Sequence, residues 1–118
     1  MTARGFYSAR LLFIILVADG AGKKRNHYDE SIVVFRAVSF DDAFMRALAI
    51  GKKSETEYRN DKGQVVRWAL VRVINLDWVG SKIDGKEVGS VLHFRVGTKA
   101  ISPRTKFHPE KSKPESSI

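Results

Sequence analysis

The chain has 118 residues, of which 43% are hydrophobic and 29% charged, a size and balance that fit one folded domain with a small core. It contains no Cys, which excludes disulfides and every cysteine-ligated metal site. The net charge of +8 is unevenly spread, with basic ends around an almost neutral middle. Arg4, Arg10, Lys23, Lys24 and Arg25 face only Asp19 in the first 25 residues. Lys99, Arg104, Lys106, Lys111 and Lys113 face Glu110 and Glu115 in the last 22. A dense basic stripe on the folded body, the usual footprint of a nucleic-acid binder, is not part of this pattern.

The first expected strand is Phe6–Ala18. Tyr7, Ala9, Leu11, Phe13, Ile15 and Val17 share one face, and Leu12, Ile14 and Leu16 the other. Both faces become apolar, which predicts an interior strand. The run Leu11–Ala18 is too short for a bilayer, which needs about 20 residues. It also resembles a signal-peptide core, but it is short for one, and Asp19 interrupts the cleavage pattern. A cytoplasmic protein is expected. Asp19–His27 is a Gly-rich basic loop, and Tyr28–Val38 is a second strand, so the two runs read as a hairpin with a long basic tip.

Ser39 is placed to cap a helix over Phe40–Ile50, with Asp41 and Asp42 at the positive end of its dipole. Phe40, Ala43, Phe44, Ala47 and Leu48 form an apolar stripe at helical spacing. Gly51 suits the left-handed position after a helix, and Lys52 and Lys53 suit its negative end. A short strand, Thr56–Asn60, and a turn at Asn60–Gly63 follow. A long strand comes next, Gln64–Val79. Val66, Trp68, Leu70, Ile74, Leu76 and Trp78 share one of its faces, with Arg72 among them. A turn at Asp84–Gly85 and a fifth strand, Glu87–Val96, complete a ββαβββ, α+β domain over residues 1–96: a mostly antiparallel sheet with one helix on one face. Residues 97–118 hold all three prolines and read as a flexible Pro/Ser/Lys-rich tail.

Several segments carry a likeness in their order and spacing. They are Tyr7–Leu12, Glu30–Val33, the helix ending in Gly51–Lys52, Glu57–Asn60, Gly63–Trp68 and Glu87–Ser90. Together they resemble a family of small bacterial proteins known as domain of unknown function 4288. The resemblance covers about residues 6–92. It implies a bacterial origin and no established activity, and it offers no catalytic residues to carry over.

Chemical motifs are weak. Gly20-Ala21-Gly22-Lys23-Lys24 is not a phosphate loop: Val17 stands where the first Gly belongs, Lys24 where Ser or Thr belongs, and a strand follows instead of a helix. His27, His93 and His108 have no metal-site spacing, so no metal or cofactor is expected. A nuclease would need a second acid or base beside one of them, and none is fixed by the sequence.

Arginines and tryptophans are more informative. Arg10, Arg36 and Arg72 each interrupt an apolar strand face. If the hairpin pairs Asp19 with Tyr28 or His27, Arg10 falls opposite residue 36 or 37, and two facing arginines would call for an anion or a carboxylate between them, a site for an anion or an acidic partner. The plainer reading is that these side chains snorkel to the sheet edge. Trp68 and Trp78 lie about 34 Å apart on a straight strand, too far for an eleven-residue helix of about 16 Å to cover both. Either one of them meets another subunit or a partner, or a bend in the strand lets both pack in the core.

A helix about 10 Å wide covers only some two strands at about 4.8 Å spacing. The remaining apolar surface therefore predicts a non-enzymatic protein-interaction module, working through an apolar sheet face on a protein partner or as a homodimer. A bacterial accessory or immunity-type protein is one form of it. The alternative is nucleic-acid binding by Lys23, Lys24, Arg25 and the basic tail. Neither a membrane nor a small-molecule ligand is suggested.

Overall fold

The structure, a computed structural model, describes residues 3–18, 27–90, 92 and 100–114. Four strands form one antiparallel sheet in the order β2-β1-β4-β3: β1 (Gly5–Val17), β2 (His27–Ala37), β3 (Thr56–Arg59) and β4 (Val65–Gly80). One helix, α1 (Phe40–Lys53), connects β2 to β3 and lies on one face. The α+β class and the interior position expected of β1 both hold.

The apolar face of β1 is the spine of the core. Tyr7, Ala9, Leu11 and Phe13 are all buried. The Tyr7 hydroxyl donates to the Ala3 carbonyl, which satisfies its one polar group. Against this row pack Ala43 and Ala47 of α1, Val33, Phe35 and Ala37 of β2, and Trp68, Leu70, Val73 and Leu76 of β4.

The helix begins as its sequence dictates. The Ser39 hydroxyl accepts from the Asp42 amide at 3.1 Å, and the Asp42 carboxylate accepts from the Val38 amide at 2.9 Å. Two otherwise unpaired donors at the helix start are thereby satisfied. Its contact line differs from the expected stripe. Ala43, Ala47 and Gly51 are the buried residues, spaced four apart, whereas Phe40 and Phe44 remain 48% and 43% exposed. Small residues let the helix approach the sheet closely, and the two rings stay on its flank.

Gly51 is also not a left-handed stop. The helix continues to Lys53 and is capped by Ser54, whose amide and hydroxyl both donate to the Ile50 carbonyl. A Cβ at Gly51 would lie 2.7 Å from Cδ2 of Leu70, so its role is to make room for β4. The turn at Asn60–Gly63 forms as expected. Gly63 has φ +75°, and the Asn60 side chain accepts from the Lys62 and Gln64 amides.

Three further expectations are corrected. The hairpin register differs by several residues. Among the described residues the pair nearest the tip is Ile15↔His27, and Arg10 faces Ile32; this register sets Val33 and Phe35 beside the buried Ala9 and Tyr7. β4 carries register shifts against β1 that leave Val71, Ile74 and Val79 unmatched. The first of them moves Arg72 off the face it shares by alternation with Trp68 and sets it opposite Leu12. Finally, Glu87–Ser90 of the expected fifth strand is irregular chain. After a turn with Gly85 at φ +73°, it crosses the sheet rather than extending it. Leu92 is 86% exposed, and the rest of that expected strand lies outside the described residues.

Candidate functional site on the open sheet face

The face of the sheet opposite α1 can be read row by row from the register. Arg36, Phe6 and Gly80 form the first row, then Val34, Ser8 and Asp77. Ile32, Arg10 and Asn75 come next, followed by Glu30, Leu12 and Arg72, and by Tyr28, Ile14 and Ala69. Leu16 and Arg67 close the series. Arg10, Arg36 and Arg72 therefore do share one face, but no two of them stand directly opposite each other.

Each arginine has its own environment. Arg10 is largely enclosed, with its side chain 15% exposed. Its Nε lies 3.8 Å from the Glu30 carboxylate, and its Nη2 donates to the Ser90 carbonyl at 2.9 Å. Arg36 stacks over the Phe6 ring, 4.8 Å from its centroid. Arg72 is exposed in the row of Leu12 and Glu30.

The crossing segment Glu87–Ser90 roofs a cleft of about 340 Å³, floored by Ser8, Arg10 and Asn75 and edged by Asp77 and Trp78. A Cβ at Gly89 would sit 3.4 Å from Cδ1 of Ile32, so this segment packs directly on the sheet. It covers one end of the face only. Beyond it Tyr28 is 55% exposed and Leu16 38%, and at its margin Ile32, although it touches the roof, and Val34 are still 47% and 38% exposed. This apolar strip is bordered by charges of both signs: Glu30, Glu57 and Asp77 against Arg36, Arg67 and Arg72.

The tryptophans separate as the length argument requires. Trp68 packs against the core beside Ile50 and Leu70, and Trp78, ten residues on, is 54% exposed at the edge of the cleft. Lys23, Lys24 and Arg25 lie outside the described residues, as does His93. His27 is exposed at the start of β2, and His108 is 3.2 Å from Glu110. Among the described residues no group of three His, Asp or Glu side chains is arranged to hold a metal ion. None of the described helices is long and apolar enough to cross a membrane. The cleft is not legible in the sequence, because its roof carries the alternation of a strand. Gly85 and Gly89 flanking Glu87 and Val88 were the available signal for irregular chain.

A family model described as a domain of unknown function, number 4288, matches residues 6–90. The chain belongs to this family. The match begins at the start of β1 and ends on Ser90, the residue that accepts from Arg10. The family's extent is thus the sheet, the helix and the roof of the cleft, and residues 91–118 lie beyond it. No curated protein and no solved structure matches the chain.

Proposed function

We propose that this protein is a non-enzymatic interaction module that pairs with a second copy of itself through the sheet face the helix leaves open. The observation that carries this reading is the apolar strip of Tyr28, Ile32, Val34 and Leu16, bordered by both signs of charge. A polyanion would favour a face of one sign, whereas mixed charge around an apolar strip suits a protein surface.

The row Glu30–Leu12–Arg72 favours a second copy as the occupant. A two-fold axis parallel to β1 and passing over Leu12 exchanges the β2 side of one copy with the β4 side of the other. Glu30 of each copy then meets Arg72 of its partner, twice, around an apolar centre. Three strands and the six residues of β1 clear of the roof, Leu12–Val17, span roughly 14 by 20 Å, about 280 Å² in projection. Stable interfaces bury about 800 Å² per partner, so the pairing is expected at micromolar concentrations. An accessory or immunity-type protein would use the same face for a second, competing protein.

Light scattering of the parent and of Tyr28→Glu tests the reading. The parent should have twice the 13.3 kDa chain mass, and the variant the mass of one chain. A parent that stays monomeric up to ~100 μM, well above a micromolar dissociation constant, contradicts it. Nucleic-acid binding that weakens steeply with salt and is unchanged in Tyr28→Glu would instead favour the basic tip and the exposed tail cations Arg104, Lys106, Lys111 and Lys113.

A further inference from the structure

The first row of the open face leads to a second cleft, at the end of the sheet where α1 begins. Its volume is about 360 Å³, and it is lined by Arg4, Phe6, Arg36, Val38, Arg46 and Ser81 among others. Three arginines line it from three separate parts of the fold: the residues before β1, the end of β2 and the second turn of α1. Among the described residues no acidic side chain lines it, although Asp42 bonds two of the lining residues, Val38 and Arg46.

Two of the three are held in place by neighbours. Arg36 has its guanidinium carbon over the Phe6 ring, 4.8 Å from the centroid, which holds the group at that end of the sheet. Arg46 gives its Nε to the Asp42 carboxylate at 3.1 Å, and Asp42 is itself anchored by the Val38 amide. That contact is made through Nε. Among the described residues, Arg4 and Arg36 have no acidic partner. Like charges gathered in one concavity repel unless an anion joins them, and the planar fork of Arg matches phosphate oxygens in pairs.

We infer that this cleft binds a phosphate monoester carried on a small molecule of about nucleotide size. Its volume is at the lower end of ligand pockets, which begin at about 300 Å³. The arginines line one concavity of the described structure, which favours a compact dianion over an extended nucleic-acid backbone. The apolar side chains of Phe6 and Val38 offer contact to the organic part. This site shares Arg36 with the border of the strip of Tyr28, Ile32, Val34 and Leu16, but Arg4 and Arg46 belong to none of the rows of that face, so Arg4→Gln tests it separately from dimerisation.

The test is an NMR titration of the full chain at low ionic strength with inorganic phosphate, adenosine 5′-monophosphate, adenosine and a short DNA duplex. Phosphate and the monophosphate should shift the amides of Gly5, Ala37 and Val38 saturably, with millimolar or tighter affinity, and adenosine should not. Arg4→Gln and Arg36→Gln should each weaken binding about tenfold, the scale of one charged hydrogen bond. Arg36→Gln also removes the stacking on Phe6, but Arg4→Gln leaves that packing intact, so a native spectrum with weakened binding in Arg4→Gln isolates the charge. No saturation by phosphate or the monophosphate at ~20 mM, well above a millimolar dissociation constant, would overturn the inference. So would equal binding by both variants and the parent, or shifts caused by the duplex alone.

Discussion

Gly51 and Asp42 illustrate how single residues serve this fold in ways that local sequence rules only half describe. Gly51 precedes two lysines after an apolar stripe, which is also how a helix stop is spelled. What decides its role is Leu70, nineteen residues away, whose Cδ atoms occupy the space of the missing Cβ. Replacing Gly51 by Ala has two opposed effects: a helix gain of about 1 kcal/mol and the displacement of one flexible side-chain end. The stability of Gly51→Ala should therefore stay within about 1 kcal/mol of the parent, whereas Gly51→Leu should lose about 1–3 kcal/mol by overpacking. Denaturant titration measures both, and a tolerated Leu would show that the helix stands further from β4.

Asp42 is held below the usual carboxylate range, first by the Val38 amide and then by the Arg46 side chain. The folded chain therefore keeps it ionised where the unfolded chain has begun to protonate it. Its stabilisation is fully present above the unfolded value, about pH 4, and is lost as pH falls through the lower folded value. Asp42→Asn should be less stable than the parent at neutral pH, and its stability should change less on acidification below about pH 4. Parallel acid-unfolding curves for the two proteins would contradict this assignment.

At the level of elements, β1, the helix start and the turn at Asn60–Gly63 were legible because each rests on local rules: apolar alternation, a capping Ser, and a Gly needing positive φ. The face assignment of β4 was not. Val71 and Ile74 are as apolar as their neighbours, so nothing in the alternation marks where β4 slips against β1. That slip decides whether Arg72 points to the helix or away from it. Glu87–Ser90 failed for a related reason. Alternating apolar residues describe a strand, but pairing needs a partner edge, and here the Arg10 side chain takes the Ser90 carbonyl instead. Glu55, which joins helix to β3, likewise accepts from the Leu70 amide at 2.9 Å on the edge of β4 that β3 does not reach.

The end of the chain belongs to the same scale. Residues 100–114 are exposed throughout, with one short 3₁₀ turn at Pro109–Lys111. Deleting residues 97–118 should leave the unfolding free energy within about 1 kcal/mol, as expected of surface segments, and a loss above about 2 kcal/mol would mean that a core-sized side chain packs there. Thermal or denaturant unfolding of the shortened chain decides it.

For the whole molecule, the governing fact is one helix on a four-stranded sheet. The helix buries one side of β1, and the roof formed by Glu87–Ser90 reaches only one end of the other side. Tyr28, Ile32, Val34 and Leu16 remain where a second layer would ordinarily lie. The sequence indicated that surplus surface through the width of a helix alone. The charges that would orient a partner on it became visible only with the register, which sets Glu30 and Arg72 on either side of Leu12.

Those two residues provide the most direct test of the proposed pairing. Arg72→Glu alone places like charges against Glu30 of the second copy, and Glu30→Arg alone does so against Arg72, a juxtaposition that costs several kcal/mol across an interface. Mixing the two variants restores opposite charges at both contacts. Sedimentation equilibrium should give one chain mass of 13.3 kDa for each variant alone and twice that mass for their mixture and for the parent. Variants that dimerise as the parent does, or a mixture that remains monomeric while the parent is dimeric, would contradict the two-fold arrangement; a parent that remains a single chain would contradict the pairing itself.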